Sequence, residues 1–109
     1  MSVPDAAITV EPGKVRVGAT CFALRVSNEP LVARGRVIHG AWDPLLGRIE
    51  LFNAGNRSDA ELTESLLHEL SHAYGEAEST ARTTGKQWVI QHAQQVGPLA
   101  DALRNVAQD

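Results

Sequence analysis

The chain has 109 residues, enough for one hydrophobic core but too few for a catalytic domain joined to a separate recognition domain. Its composition, 43% hydrophobic and 21% charged, includes no apolar run of the roughly 20 residues that cross a bilayer. The net charge of −3 comes without a basic cluster. We therefore expect a single domain over residues 1–109, with neither a membrane nor nucleic acid as a direct partner.

Cysteine content restricts the kind of site that the chain can build. Cys21 is the only cysteine, which excludes an internal disulfide and any metal site with two thiolates from one chain. A metal would need histidines and carboxylates, and Cys21 itself is predicted to be a small core residue. The first residues show no basic stretch leading into an apolar one, so we predict a cytoplasmic protein without a secretory signal.

The first half of the chain alternates apolar and polar residues with period two, the pattern of half-buried strands. It predicts a small mixed or antiparallel sheet of three to four strands. The predicted strands are Val15 to Val17, Phe22 to Val26, Arg36 to Ala41 and Arg48 to Phe52.

A helix is predicted to begin at about Asp59. Ser58 and Glu61 match the capping box, in which each side chain accepts a hydrogen bond from the backbone amide of the other residue. Gly75 can end the helix by taking the left-handed conformation. One face of the helix is apolar and should pack on the sheet: Leu62, Leu66, Leu67, Leu70 and Ala73.

Two further helices complete the predicted α+β fold. The first runs from about Glu76 toward Gln95 and is weakened by Gly85. Gly97 and Pro98 open the last helix, because proline suits the first helical turn.

The chemistry of the chain is concentrated in an HExxH motif formed by His68, Glu69 and His72. Two histidines four residues apart on a helix project side by side, so both rings can approach one ion at about 2.0–2.1 Å. Glu69 lies beside that face, where it can reach a water molecule at the metal and act as a general base. The motif lies on a capped amphipathic helix, off its apolar face, and is followed by a turn and carboxylates. This context favours a metal site over a solvent-exposed or structural histidine pair.

A catalytic zinc site needs a third protein ligand and one open position for water. Gly75 supplies a turn that can bring a carboxylate back to the metal. On a continuous helix Glu76 would lie one more turn along the line of the histidines, and so Glu78 is better placed to converge. Both carboxylates remain candidates at this point.

A peptidase also needs a donor that stabilises the oxyanion, and the sequence does not identify it. Tyr74 lies about 140° from the histidine pair on the helical wheel and is predicted to be a core residue. His92 shares a face with apolar residues and is predicted to be packed rather than catalytic. His39 lies in a predicted strand and could be either packed or catalytic.

HExxH is the signature of the zincin metallopeptidases. The whole chain resembles small phage and bacterial proteins with a minimal zincin fold, related to the ImmA/IrrE-like peptidases and the minigluzincins. The resembling segments are the strand from Arg48 to Leu51, the run from Leu66 to Leu70, the segment Glu78-x-x-Ala81-Arg82, and the closing helix with Pro98.

The resemblance implies zinc as the cofactor. In gluzincin-like proteins the third ligand is a Glu on the helix after HExxH, a role that the match carries onto Glu78. The spacing also equals the metzincin pattern HExxHxxGxxH, but those proteins have a Met-turn and Met1 is the only methionine here. The gluzincin-like interpretation is therefore favoured. The loop after His72 is shorter than in most gluzincins, so the choice between Glu76 and Glu78 stays open.

These features predict a zinc metallopeptidase that hydrolyses a peptide or protein substrate, with Glu69 as its general base. The ImmA/IrrE resemblance implies cleavage of a repressor. Such sites often hold the substrate as an added strand, and Arg48 to Phe52 is the candidate edge. The alternative is a zinc-stabilised regulatory or binding module with little or no turnover.

Overall fold

The computed structural model describes residues 3–108, which form an α+β fold. Its strands are β1 (Ile8–Glu11), β2 (Lys14–Val17), β3 (Thr20–Ser27), β4 (Leu31–Ala33), β5 (Arg36–Ile38), β6 (Gly40–Asp43) and β7 (Arg48–Phe52). The helices that follow are α1 (Asp59–Ala73), α2 (Glu78–Gln91) and α3 (Ala93–Asn105).

Five of these strands form one mixed sheet in the order β1-β2-β3-β7-β6. β3 and β7 are parallel, with Leu24 opposite Ile49, and the other neighbouring pairs are antiparallel. β4 and β5 form a separate antiparallel hairpin. Within the described residues, β1 and β6 are therefore the two edges of the main sheet.

The α+β class and the order of a sheet followed by three helices are confirmed, but the predicted number of strands is too small. β1 and β4 were not predicted, and they are only four and three residues long. The predicted strand from Arg36 to Ala41 is in fact two strands in different sheets, separated at His39. Alternation of residue types is local and does not show which strands pair.

The predicted apolar face of α1 forms the centre of the core. Its four leucines are fully buried and cluster with inward side chains of the sheet, such as Ile49 and Leu51. Burial of each leucine contributes roughly 1.5–3 kcal/mol, which fixes the rotation of α1 about its axis. His68 and His72 consequently lie on the flank of the helix, where their side chains are 21% and 25% exposed.

The predicted boundaries of the last two helices are wrong. α2 begins at Glu78 rather than Glu76 and ends at Gln91, because His92 adopts a non-helical backbone conformation (φ −119°, ψ 40°). α3 then starts at Ala93, and Pro98 lies inside it rather than at its start. A proline this close to the N-terminus removes only one hydrogen bond of the early helix.

None of the helices within residues 3–108 combines the length and the apolar character needed to cross a membrane.

The close packing of α2 on α1 depends on small residues. Ala81 and Gly85 are buried on the α2 face that meets α1. A Cβ atom at Gly85 would lie 3.0 Å from the backbone oxygen of Glu64 and 3.7 Å from the backbone nitrogen of His68. Glycine at this position, predicted only to weaken the helix, therefore lets α2 approach the histidine-bearing part of α1.

We expect Gly85→Ala to destabilise the fold, although alanine is favoured over glycine in a helix by about 1 kcal/mol. Overpacking against a backbone atom costs typically 1–3 kcal/mol, so the net loss should be up to about 2 kcal/mol in urea unfolding. Gly55→Ala adds the same methyl group in open space and should leave stability unchanged or slightly raised. A Gly85→Ala protein more stable than the wild type would contradict the close-packing explanation.

Candidate metal centre and active site

The N-terminus of α1 is fixed by the predicted capping box. The Glu61 amide donates to Ser58 Oγ at 3.1 Å, and the Ser58 amide donates to Glu61 Oε1 at 2.9 Å. Such a cap contributes about 1 kcal/mol to the helix. It sets the start of α1, and the regular helix then presents His68 and His72 on one side, with ring centroids 5.0 Å apart.

The turn after α1 brings the chain back toward these histidines. Gly75 has a φ of +91°, in the left-handed region, as the sequence predicts. The Gly75 amide donates to the carbonyl of His72 and the Glu76 amide donates to that of Ser71, the two bonds of a Schellman motif. Only two residues, Glu76 and Ala77, then separate Gly75 from the start of α2.

The same turn orients the ring of His72. Its Nδ1 lies 2.9 Å from the backbone oxygen of Glu76, and since a carbonyl can only accept, Nδ1 carries the proton and donates it. A neutral His72 therefore has its lone pair on Nε2, the atom that faces Glu78. Backbone carbonyls commonly hold metal-binding histidines in this tautomer.

Glu78 is the carboxylate that meets both histidines. Its Oε1 lies 2.6 Å from His68 Nε2, and its Oε2 lies 3.5 Å from His72 Nε2. One potential ligand atom from each of the three residues lies within 4.8 Å of the others, a group that could hold a metal ion. Two imidazole nitrogens and one carboxylate oxygen form a donor set that suits catalytic zinc.

The charges around Glu78 favour its ionised form. Partial burial alone would raise the pKa of this carboxyl, but His68, His72 and Arg82, together with the hydrogen bond from His68, outweigh that effect and lower it. A deprotonated carboxylate is the form that binds a metal.

Glu69 is placed differently from Glu78, although it lies beside the same histidines. Only 8% of the residue is exposed, and burial raises the pKa of its carboxyl to about 7; His72 opposes this shift and Glu78 adds to it. Its side chain lies against Gly40, where a Cβ atom would come within 3.0 Å of Glu69 Cγ and 3.1 Å of Oε2. The absence of a side chain at Gly40 is what leaves room for the Glu69 carboxylate beside β6.

The potential ligands and Glu69 line one open cavity of about 580 Å³, which we call the main cavity. Its walls come from α1 and the residues just before it, the first turns of α2, and residues 37–40 at the end of β5 and the start of β6. The lining residues are Val37, Ile38, His39, Gly40, Arg57, Glu61, Glu64, Ser65, His68, Glu69, His72, Glu78 and Arg82. A ligand of peptide size could therefore reach the histidines and Glu69 together.

Other residues singled out in the sequence lie elsewhere or are exposed. Tyr74 packs against the ring of Phe22, 5.6 Å away, and does not line the main cavity. His92 stacks on Trp88 at 4.4 Å and contacts Asp5 in a different pocket, as expected for a packed histidine. His39 is exposed at the wall of the main cavity.

Two predictions of side-chain and strand position are wrong. Cys21 is exposed rather than buried, because it points to the opposite face of β3 from Phe22 and Leu24. Arg48–Phe52, expected to be an exposed edge, is β7 and lies between β3 and β6. The sheet edge that borders the main cavity is β6.

Two residues near the predicted site were not assigned a functional role from the sequence. Gly40 lies 29 residues before Glu69, and no local pattern indicates that they meet. Arg82 is four residues after Glu78 on α2, so the two side chains are neighbours on the helix surface, and this spacing could have indicated it.

No protein-family model, curated protein or solved structure matches this chain. The described residues form an α+β fold in which His68, His72 and Glu78 are a group that could hold a metal ion.

Proposed function

We propose that this protein is a zinc-dependent metallopeptidase of the minimal zincin type. His68, His72 and Glu78 would hold the metal, and Glu69 would be the general base. The observation that carries the proposal is the position of a buried carboxylate, Glu69, on the same cavity as a His-His-Glu group. A purely structural metal site does not need that additional carboxylate.

Zinc, when bound, would polarise the peptide carbonyl and acidify the attacking water. One carboxylate oxygen of Glu69 accepts a proton from this water as the water oxygen bonds to the carbonyl carbon. Glu69 then donates the proton to the amide nitrogen while the carbon–nitrogen bond breaks, leaving a carboxylic acid and an amine. Packing against Gly40 limits the positions that Glu69 can adopt during both transfers.

Among residues 3–108 no strand pairs with the outer edge of β6, and this edge is the surface that best suits an extended substrate. Phe52 donates its amide to the carbonyl of His39, on the side that faces β7. Because hydrogen-bonding direction alternates along an antiparallel strand, the backbone groups of Gly40 face the outer edge. A peptide added there as a strand would pass directly beside Glu69.

One observation favours the alternative, a zinc-stabilised binding module. Glu78 is the first residue of α2, whereas the two histidines lie in the last two turns of α1, so an ion bound by all three would join the two helices. Such an ion would stabilise the fold whether or not the protein turns over a substrate.

Metal removal and restoration test the proposal. We expect about one zinc per chain by mass spectrometry, loss of peptide cleavage with a chelator, and recovery when zinc is returned. Free zinc at 100 times its Kd should stabilise the fold by about 2.7 kcal/mol, a rise in Tm on the order of 10 °C.

A peptide library or a lysate is the appropriate substrate, because a small peptidase can be specific for one protein. Cleavage that survives complete removal of the metal would contradict the zinc mechanism. A zinc-loaded protein that cleaves nothing, but loses stability sharply with the chelator, would favour the binding module.

A further inference from the structure

Arg82 lies at the edge of the candidate metal group, on the first turns of α2. Its Nε is 3.6 Å from Glu78 Oε1, the same oxygen that contacts His68 Nε2 at 2.6 Å. Arg82 also lines the main cavity together with Glu69. Its guanidinium therefore lies next to Glu78, one of the three potential metal ligands at which the proposed reaction takes place.

The Arg82 side chain is 71% exposed and is not held by core packing. Its contact with Glu78 is a long one between exposed residues four apart on a helix, a type of pair that contributes little to stability. The guanidinium can consequently turn toward a bound ligand at little cost. The guanidinium is a cationic donor with a planar fork of N–H groups.

Peptide hydrolysis places a negative charge on the carbonyl oxygen when water attacks, and a nearby cationic donor stabilises that charge. The other cation of the cavity wall, Arg57, precedes α1 and donates to the carbonyl of Glu61 at 2.9 Å. The guanidinium is thereby held at Glu61, seven residues and about 10 Å along the axis of α1 from His68. The exposed ring of His39 interacts with Glu61 near the same end of α1.

Ser65 also faces the cavity, one turn before Glu69, but its hydroxyl is neutral. A charged donor forms a hydrogen bond to an oxyanion that is roughly twice as strong as one from a neutral group. Arg82 is thus the cationic side chain of the cavity wall that lies closest to the proposed reaction.

We propose that Arg82 is a catalytic residue that stabilises the oxyanion, and that it forms an anion-binding position beside the metal. This inference rests on the proposed function. The competing explanation is that Arg82 only orients Glu78, in which case its loss would weaken metal binding instead of anion binding.

The test uses the full chain with cobalt(II) in place of zinc, because the visible absorption of cobalt reports an anion that joins the metal. Inorganic phosphate is titrated into the wild type, Arg82→Ala and Arg82→Lys, and cobalt affinity is measured separately for each. Arg16→Ala is the matched control, since it removes an exposed arginine that pairs with Glu11 on the β1–β2 hairpin.

We expect Arg82→Ala to raise the Kd for phosphate about 10- to 100-fold, the usual effect of losing a hydrogen bond from a charged group. Arg82→Lys should give a smaller rise because it keeps the charge but loses the planar fork. Cobalt affinity should change less than about threefold, and Arg16→Ala should change neither value. With a cleavable peptide, Arg82→Ala should lower kcat about 10²-fold and leave KM nearly unchanged.

Several results would overturn the assignment of Arg82. One is a phosphate Kd that does not change in Arg82→Ala, and another is a wild type that binds no phosphate. The third is a loss of cobalt affinity in Arg82→Ala that is as large as its loss of phosphate affinity. A wild type that binds no cobalt would remove both this inference and the proposed function. If phosphate binding depends on Arg82 but the protein cleaves no peptide, the proposal of peptide hydrolysis fails and the anion-binding position beside the metal stands.

Discussion

Glu69→Gln should lower kcat by about 10² to 10⁴, the usual effect of losing a general base. Glutamine keeps the size of the side chain and still fits beside Gly40, but its amide cannot accept a proton at neutral pH. Because Glu69 is buried and not among the three potential ligands, zinc content should be retained. Single-turnover cleavage of an identified peptide, with metal analysis of the same samples, measures both effects.

Glu64→Gln is the matched control for this experiment. Glu64 lies on the same helix, lines the same cavity and undergoes the same chemical change, but it is one turn before His68 and outside the potential metal group. We expect its kcat to stay within about threefold of the wild type, since it has no part in proton transfer. Equal cleavage by Glu69→Gln and the wild type would exclude Glu69 as the base.

The parts of the site that lie within one helix could be predicted from the sequence. The capping box fixes the start of α1, its leucines fix the buried face, and the i, i+4 spacing places His68 and His72 together. Each of these relations joins residues within about two helical turns of one another. Local sequence is sufficient for them because the geometry of a helix is regular.

The position of Glu78 could be predicted only in part, because the sequence pattern that indicates it depends on where α2 begins. Glu78, Ala81, Gly85 and Trp88 follow the spacing of one helical face, and the last three are buried. That face packs on α1, so it carries Glu78 toward the histidines. The predicted start of α2 at Glu76 obscured this relation, since the turn after Gly75 in fact extends to Ala77.

Strand pairing and contacts between distant segments could not be predicted. β7 pairs with β3 in parallel, across a connection that contains β4, β5 and β6, and this pairing places β6 at the edge instead. The contact of Gly40 with Glu69 depends on that arrangement. Residue alternation predicts that a segment is a strand, but it does not indicate its neighbours.

Glu78→Ala should raise the Kd for zinc by well over 100-fold, whereas Glu76→Ala should raise it by less than about tenfold. Loss of a group that only supports a metal ligand typically costs 10- to 100-fold in affinity, so loss of a ligand should cost more. Glu78 contacts both histidines through its carboxylate. The contact of Glu76 with His72 Nδ1 uses the backbone oxygen, which alanine retains.

Competition with a chromophoric chelator measures both affinities, and His72→Ala provides the reference for the loss of a ligand. Urea unfolding of the metal-free proteins shows whether a variant has simply lost its fold; we expect Glu78→Ala to lose less than about 1 kcal/mol, since it removes one charge from the N-terminus of α2. A larger loss of zinc affinity from Glu76→Ala than from Glu78→Ala would assign the third ligand to Glu76. Equal, small losses would mean that the two histidines hold the metal without either carboxylate, and that the site lacks the three protein ligands that a catalytic zinc requires.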